Sequence, residues 1–86
     1  MSQNKEDLKN KIIYRATYRG TKEMDILMTT FVNSLIEELD ENYLNTLDLF
    51  VNLDDETLIS LKKKESKNEY KDERMLHIID KFQKFN

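Results

Sequence analysis

The distribution of glycine and proline is the feature that most limits how this chain can fold. Proline is absent, and the only glycine among the 86 residues is Gly20. Because these two residues are the usual helix breakers, nearly the whole chain is free to be helical. A lone glycine between two helical patterns supplies the positive φ with which one helix ends before the next begins. The sequence therefore predicts an all-α protein with a helix boundary near residue 20.

Two helices are predicted on either side of Gly20. The first covers residues 5–19, and Ser2 or Asn4 is its candidate N-cap. The second has the most regular apolar periodicity in the chain, which indicates a core helix running from an N-cap at Thr21 as far as Leu39. Its apolar face consists of Met24, Leu27, Met28, Phe31, Leu35 and Leu39.

Shorter helices follow in the second half of the chain. Asp40 is the predicted N-cap of the third helix, which extends to about Asn52. Asp54 or Asp55 caps a short fourth helix, as part of the acidic run Asp54-Asp55-Glu56. The last helix is expected over residues 72–84, where apolar residues again return to one face.

The lysine-rich stretch 62–71 separates the last two helices and is predicted to be an exposed, mobile connector. The short connections elsewhere favour close packing of neighbouring helices. The chain is therefore predicted to fold as a compact five-helix bundle, a single domain over residues 1–86.

Several kinds of function are disfavoured by residues that the sequence lacks. Without cysteine, and with His77 as its only histidine, the chain is not expected to hold a metal ion. We find no glycine-rich phosphate loop and no nucleophile beside a plausible base, so no catalytic residue is predicted. No apolar run is long enough for a membrane span or a secretory signal. We therefore expect a bacterial cytoplasmic protein, the alternative being a matrix protein whose presequence has been removed.

Charge is strongly segregated along the chain. Residues 1–22 carry a formal charge of +4, residues 23–61 carry −10 without a single basic residue, and residues 62–86 carry +3. A phosphate backbone would meet the negative middle, so nucleic acid is not an expected partner. The pattern instead fits a protein with positive and negative surface patches of its own.

The residues around Gly20 are the candidate binding site. Two of the three arginines, Arg15 and Arg19, lie four residues apart just before the glycine, a spacing that costs roughly 0.2–0.5 kcal/mol between like charges on a helix. Tyr14 and Tyr18 accompany them and are expected to be half-buried flanks of the same surface. The acids Glu23 and Asp25 follow on the next helix, and Asp25 could equally serve the helix dipole.

This run, Tyr14-Arg15-Ala16-Thr17-Tyr18-Arg19-Gly20-Thr21-Lys22-Glu23-Met24-Asp25, resembles the signature of the succinate dehydrogenase assembly factors. That family comprises the bacterial FAD assembly factor SdhE and mitochondrial assembly factor 2. Its hallmark is Arg-Gly-x-x-Glu, usually followed by Leu-Asp, with an aromatic–Arg step one helical turn earlier. The likeness extends to Phe31, to the Leu53-Asp54-Asp55 segment and to chain length. Met24 replaces the usual leucine, Tyr18 a frequent second arginine, and Leu61 a frequent tryptophan.

The resemblance implies an assembly chaperone and not an enzyme. Family members bind the flavoprotein subunit of succinate dehydrogenase, and often that of fumarate reductase, and promote covalent attachment of FAD to it. FAD then belongs to the client, and whether the factor itself holds free flavin is left open. The partner-binding residues so implied are Tyr14, Arg15, Tyr18, Arg19, Gly20, Glu23 and Asp25. The free protein is expected to be a monomer.

Two rival functions stay open at this point. The chain could be a generic helical adaptor for an unrelated client, or a small nucleic-acid binder that uses the basic residues near Gly20. If the motif is the binding surface, charge reversal at Arg19 or Glu23 should weaken the complex and leave the fold intact.

Overall fold

The computed structural model describes residues 4–64 and 70–85. Within these ranges the chain forms five α-helices and one short 3₁₀-helix, so the all-α prediction is confirmed. The helices are α1 (Lys5–Thr17), α2 (Lys22–Leu35), α3 (Glu41–Val51), α4 (Asp55–Lys62) and α5 (Glu73–Lys84), with the 3₁₀-helix at Ile36–Glu38.

The helices begin close to the positions predicted from the sequence. Asn4 caps α1 by accepting a hydrogen bond from the Asp7 amide at 2.8 Å. Asp40 and Asp54 cap α3 and α4 in the same way, each accepting from the amide three residues on. These side chains satisfy backbone donors that the first turn of a helix leaves free. Thr21 occupies the N-cap position of α2, but its hydroxyl makes no capping bond.

Two helices end earlier than predicted. α1 ends at Thr17 instead of residue 19, and Tyr18 leaves the helix with ψ 69°. α2 ends at Leu35, where the chain tightens into the 3₁₀-helix instead of continuing to Leu39. Leu35, the last residue of α2, and Ile36, the first residue of the 3₁₀-helix, are both buried in the core.

The core is built from the predicted apolar faces of all five helices. Phe31 of α2, Phe50 of α3 and Phe82 of α5 form its centre, with ring centroids 5.1–5.8 Å apart. α1 packs against α2 and α3, while α5 packs against α3 and α4. The buried apolar residues around the three rings include Leu8, Ile12, Ala16, Met24, Met28, Val32, Leu35, Ile36, Leu44, Leu47, Val51, Leu58, Leu61, Met75, Ile78 and Ile79.

The basic first helix lies against the acidic middle of the chain. Lys9 is buried, and its Nζ donates to the Glu37 carboxylate at 3.0 Å. Two residues on, Lys11 lies 3.3 Å from the Asp48 carboxylate on α3. The charge segregation seen in the sequence thus supplies complementary surfaces within the molecule itself.

The prediction of an exposed connector over residues 62–71 fails for Lys62 and Tyr70, near the two ends of this stretch. Lys62 belongs to α4, is half-buried and donates to the carbonyl oxygens of Phe82 and Phe85 at the end of α5. Lys64 lies two residues after the end of α4 and has a left-handed φ of 65°, although it is not glycine. Tyr70 packs against the core. The rest of the connector, residues 65–69, lies outside the described residues.

Candidate functional site

The junction between α1 and α2 carries the predicted site residues. Tyr14 and Arg15 lie on the last turn of α1, Tyr18 is its C-cap, and Glu23 lies on the first turn of α2. We call the exposed side chains of Tyr14, Arg15, Tyr18 and Glu23, together with the backbone at Gly20, the junction surface.

Gly20 has the positive φ that its position predicted. Its φ is +116°, a conformation that side chains with a Cβ rarely adopt. A Cβ placed on this residue would have no atom within 4 Å. The fold therefore requires glycine here because of its backbone conformation and not because of crowding, and its exposed backbone is open to a partner.

Arg19 is held inside the molecule. Its side chain is only 9% exposed, and its Nε donates to Asp55 Oδ1 at 2.8 Å. The two terminal nitrogens of the guanidinium donate to the carbonyl oxygens of Val51 and Leu53. Arg19 therefore ties the junction to the turn between α3 and α4. These contacts revise the expectation that Arg19 can be reversed in charge without damage to the fold.

Asp25 also stabilises the α1–α2 junction, through an internal hydrogen bond. Its Oδ1 accepts a hydrogen bond from the Arg19 amide at 2.6 Å, and the residue is half-buried. The carboxylate also lies in the first turn of α2, where the helix dipole favours a negative charge. Both roles belong to the fold.

Arg15 lies one turn before the end of α1 and is exposed. Its Nε donates to Asn52 Oδ1 at 2.7 Å, and the Asn52 amide in turn donates to the Asp48 carbonyl oxygen at 2.7 Å. Because α1 stops before residue 19, Arg15 and Arg19 do not share a helical face as their spacing suggested. They nevertheless line one shallow cavity of about 180 Å³, together with Tyr18, Val51, Asn52, Leu53 and Asp54.

Asp54 has a lowered pKa at this cavity. Hydrogen bonds from the Thr57 side chain and backbone hold the pKa of the Asp54 carboxyl below its usual 3.8, and the nearby Arg19 charge acts in the same direction. The residue is therefore ionised at neutral pH, and its role as N-cap of α4 accounts for the shift.

Tyr14 and Tyr18 are far more exposed than predicted. Their side chains are 65% and 68% exposed, and their rings lie against each other with centroids 4.7 Å apart. The expectation of half-buried flanks is wrong, because Tyr14 lies on the face of α1 opposite Ile12 and Ala16, and Tyr18 lies beyond the helix end. Aromatic side chains in such positions are typical of anchors at protein interfaces.

Glu23 carries a charge that is unpaired within the described residues. It is exposed, and within residues 4–64 and 70–85 its carboxylate has no hydrogen-bond or ion-pair partner. Arg19, its potential i,i+4 partner, instead pairs with Asp55 of α4. A carboxylate without an internal role is available to a binding partner.

The sequence did not reveal the residues that support the site. The sequence predicts Asp55, the ion-pair partner of Arg19, to be part of a capping cluster or a weak electrostatic contact with the client, and it predicts Asn52 to be a helix end. Both lie more than 30 residues from the arginines that they contact. No local pattern signals such pairs, because they meet only when α1 packs on α3.

His77 was expected on a solvated face and is exposed, with its ring 5.7 Å from that of Tyr43. The described ranges contain no group of three or more His, Cys, Asp or Glu residues that could hold a metal ion. They also contain no helix with the length and apolar character needed to cross a membrane.

Fold and site together define a small helical protein with an exposed aromatic and acidic surface at one helix junction. Residues 10–86 match the profile of the Sdh5 family, described as flavinator of succinate dehydrogenase. Since the match covers most of the chain, this protein belongs to that family, and the resemblance noted in the sequence is confirmed. The family description supports a role in the flavinylation of succinate dehydrogenase. No curated protein and no solved structure matches the chain.

Proposed function

We propose that this protein is a non-catalytic assembly chaperone for the flavoprotein subunit of succinate dehydrogenase. It binds that subunit through the junction surface and promotes covalent attachment of FAD, which the subunit holds. The proposed site of action is the bacterial cytoplasm, and fumarate reductase is a further candidate client.

The proposal rests on the observation that some residues of the motif hold the fold together while others are exposed on the surface. Arg19 and Asp25 are occupied in holding the α1–α2 junction to the rest of the fold. Glu23, Tyr14 and Tyr18 are exposed, and Glu23 has no internal partner in the described chain. A rigid support under exposed aromatic and charged groups is what a binding surface requires, because little side-chain entropy is then lost on association.

Binding alone can promote the reaction if it favours one conformation of the client. A ligand shifts a conformational equilibrium only by its difference in affinity for the two states. A chaperone that binds the conformation in which flavin and its attachment residue are close would raise the population of that conformation. About 1.4 kcal/mol of preferential binding would raise the ratio of the two states tenfold.

Most of the basic residues considered for nucleic-acid binding make hydrogen bonds to other side chains of the protein. Lys11, Arg15 and Arg19 bind Asp48, Asn52 and Asp55 respectively. This pairing supports the chaperone over the nucleic-acid binder.

The proposal predicts that covalent flavin in the client depends on Glu23. The flavoprotein subunit of the same organism would be expressed with the parent protein, with Glu23→Gln, or alone, and covalent flavin would be read as fluorescence of the denatured gel band. We expect the parent to raise the signal and Glu23→Gln to lose most of the increase. Gly20→Ala should also lose it, with a stability loss of about 1–2 kcal/mol from the strained φ.

Glu73→Gln is the matched control, since Glu73 is likewise an exposed acid in the first turn of a helix. It should support flavinylation as well as the parent does. No increase with the parent, and no association of the two proteins, would contradict the proposal and favour an adaptor with another client.

A further inference from the structure

The outer face of α2, next to the motif, carries an exposed apolar side chain whose role the fold does not explain. Ile26 is 57% exposed, although Met24 and Met28 on the same helix are buried. It follows Glu23 by one helical turn, so the two side chains lie on the same side of α2.

Two concavities flank Ile26. One, of about 370 Å³, is lined by Glu23, Ile26, Leu27, Thr30 and Phe85. The other, of about 310 Å³, is lined by Thr17, Asp25, Ile26, Thr29 and Thr30. Ile26 and Thr30 thus form a ridge between two open hollows with predominantly apolar walls.

The charged residues that line the two hollows are acidic, and Lys22, one helical turn before Ile26 on α2, lines neither hollow. Each hollow is lined by one acid and by no basic residue. Glu23 has no partner in the described chain, and residues 23–61 contain no lysine or arginine. An acidic partner segment, or a second copy of this same face, would meet like charge, whereas a basic segment would be attracted.

The ridge is continuous with the junction surface through Glu23, which belongs to both. The junction surface by itself comprises five residues, whereas specific interfaces use about 20–30 residues a side. A client that covers Glu23 must therefore extend over neighbouring surface, and the α2 ridge is the adjoining apolar part.

We infer, on the basis of the proposed function, that the Ile26 ridge is a second contact for the flavoprotein subunit. It receives an apolar side chain of the client that is accompanied by a basic residue, and the basic residue pairs with Glu23. The apolar contact supplies affinity, and the charge pair sets the orientation of the client.

The test compares Ile26→Lys and Ile26→Asp with the parent in affinity for the purified flavoprotein subunit. Both variants remove the apolar contact, but only the lysine also repels a basic residue of the client. We expect Ile26→Lys to weaken binding more than tenfold and Ile26→Asp to weaken it less. Leu49→Lys is the control, because Leu49 is 62% exposed on α3 and lines neither hollow; it should bind within about twofold of the parent.

Equal affinity of the parent and both Ile26 variants would overturn the inference, and so would a greater loss with aspartate than with lysine. A parent dimer that becomes a monomer in Ile26→Lys, measured by light scattering, would show that a second copy covers the ridge instead. If circular dichroism shows that Ile26→Lys is unfolded, Thr30→Lys on the same ridge replaces it. Failure of the parent to bind the flavoprotein would instead overturn the proposed function.

Discussion

Arg19 shows how a motif residue can act through the fold. Its guanidinium makes three hydrogen bonds, to Asp55 and to the carbonyl oxygens of Val51 and Leu53. A planar group with donors in a fixed arrangement suits this set of acceptors better than a lysine would. The arginine of the motif therefore holds the junction in place, while Glu23, Tyr14 and Tyr18 remain exposed on the surface.

Arg19→Met should destabilise the protein by about 2–3 kcal/mol, because it leaves Asp55 and two carbonyl oxygens without their charged donor. Urea unfolding followed by circular dichroism would measure this loss. Arg15→Met is the control, since Arg15 is exposed and has one described hydrogen bond, and we expect a loss below about 1 kcal/mol. Equal losses in the two variants would contradict the positioning role of Arg19.

The site could be only partly predicted from these residues. Gly20 was correctly assigned a positive φ, because that requirement is local to the helix boundary. The expectation for Tyr14 and Tyr18 failed, because Tyr14 lies on the face of α1 opposite its buried residues and Tyr18 lies beyond the helix end. The role of Arg19 depends on a partner 36 residues away, which no spacing within the motif reveals.

At the scale of helices, N-termini were predictable and C-termini were not. Capping side chains act within three residues, so the sequence specifies Asp40 and narrows the other caps to Ser2 or Asn4 and to Asp54 or Asp55. The structure selects Asn4 and Asp54. The ends of α1 and α2 lack glycine or proline at the last turn, and their positions follow from packing. At the end of α2 the chain tightens into the 3₁₀-helix Ile36–Glu38, and Leu35 and Ile36 are both buried there.

Lys62 links α4 to the C-terminal end of α5 through hydrogen bonds. Its Nζ donates to the Phe82 carbonyl oxygen at 2.6 Å and to that of Phe85, and it lies 5.0 Å from the centroid of the Phe82 ring. A cation at the C-terminus of a helix also interacts favourably with the helix dipole. The lysine therefore takes part in helix packing, although the sequence placed it in a solvated connector.

Lys62→Met should cost about 1–2 kcal/mol, since the last carbonyl oxygens of α5 lose their donor. Hydrogen exchange should accelerate at the Phe85 amide, which donates to Phe82 in the same turn. Lys63→Met, at the exposed neighbouring position, should change neither quantity. Unchanged exchange at Phe85 in Lys62→Met would show that the lysine does not fasten the end of α5.

The whole molecule is held by one core in which the three aromatic rings of Phe31, Phe50 and Phe82 join α2, α3 and α5. The basic α1 closes one side of this core and pairs with acids of the middle segment through Lys9 and Lys11, and Arg19, just beyond the end of α1, pairs with Asp55. Charge segregation along the sequence thus becomes charge complementarity between packed elements, and the unpaired remainder of the acids, including Glu23, faces outward.

Phe31→Ala should destabilise the protein by about 3–5 kcal/mol, because it opens a cavity among the three rings. This is a large part of the roughly 5–15 kcal/mol that stabilises a typical domain, so the thermal midpoint should fall sharply or the transition should broaden. Leu49→Ala, at an exposed position, should stay within about 0.5 kcal/mol of the parent. A midpoint for Phe31→Ala that equals that of Leu49→Ala would contradict a core centred on these rings.

The sequence by itself determined the all-α class, the number of helices, the N-cap of α3 at Asp40, the apolar faces that form the core and the positive φ at Gly20. Each of these follows from interactions within one or two helical turns. Only the tertiary structure decided where α1 and α2 end, that Arg19 and Lys62 turn inward, and that Tyr14, Tyr18, Glu23 and Ile26 remain on the outside. The physical reason is that these outcomes depend on partners roughly 20 to 37 residues away, whose carbonyl and carboxylate oxygens are brought into reach only by the packing of whole helices.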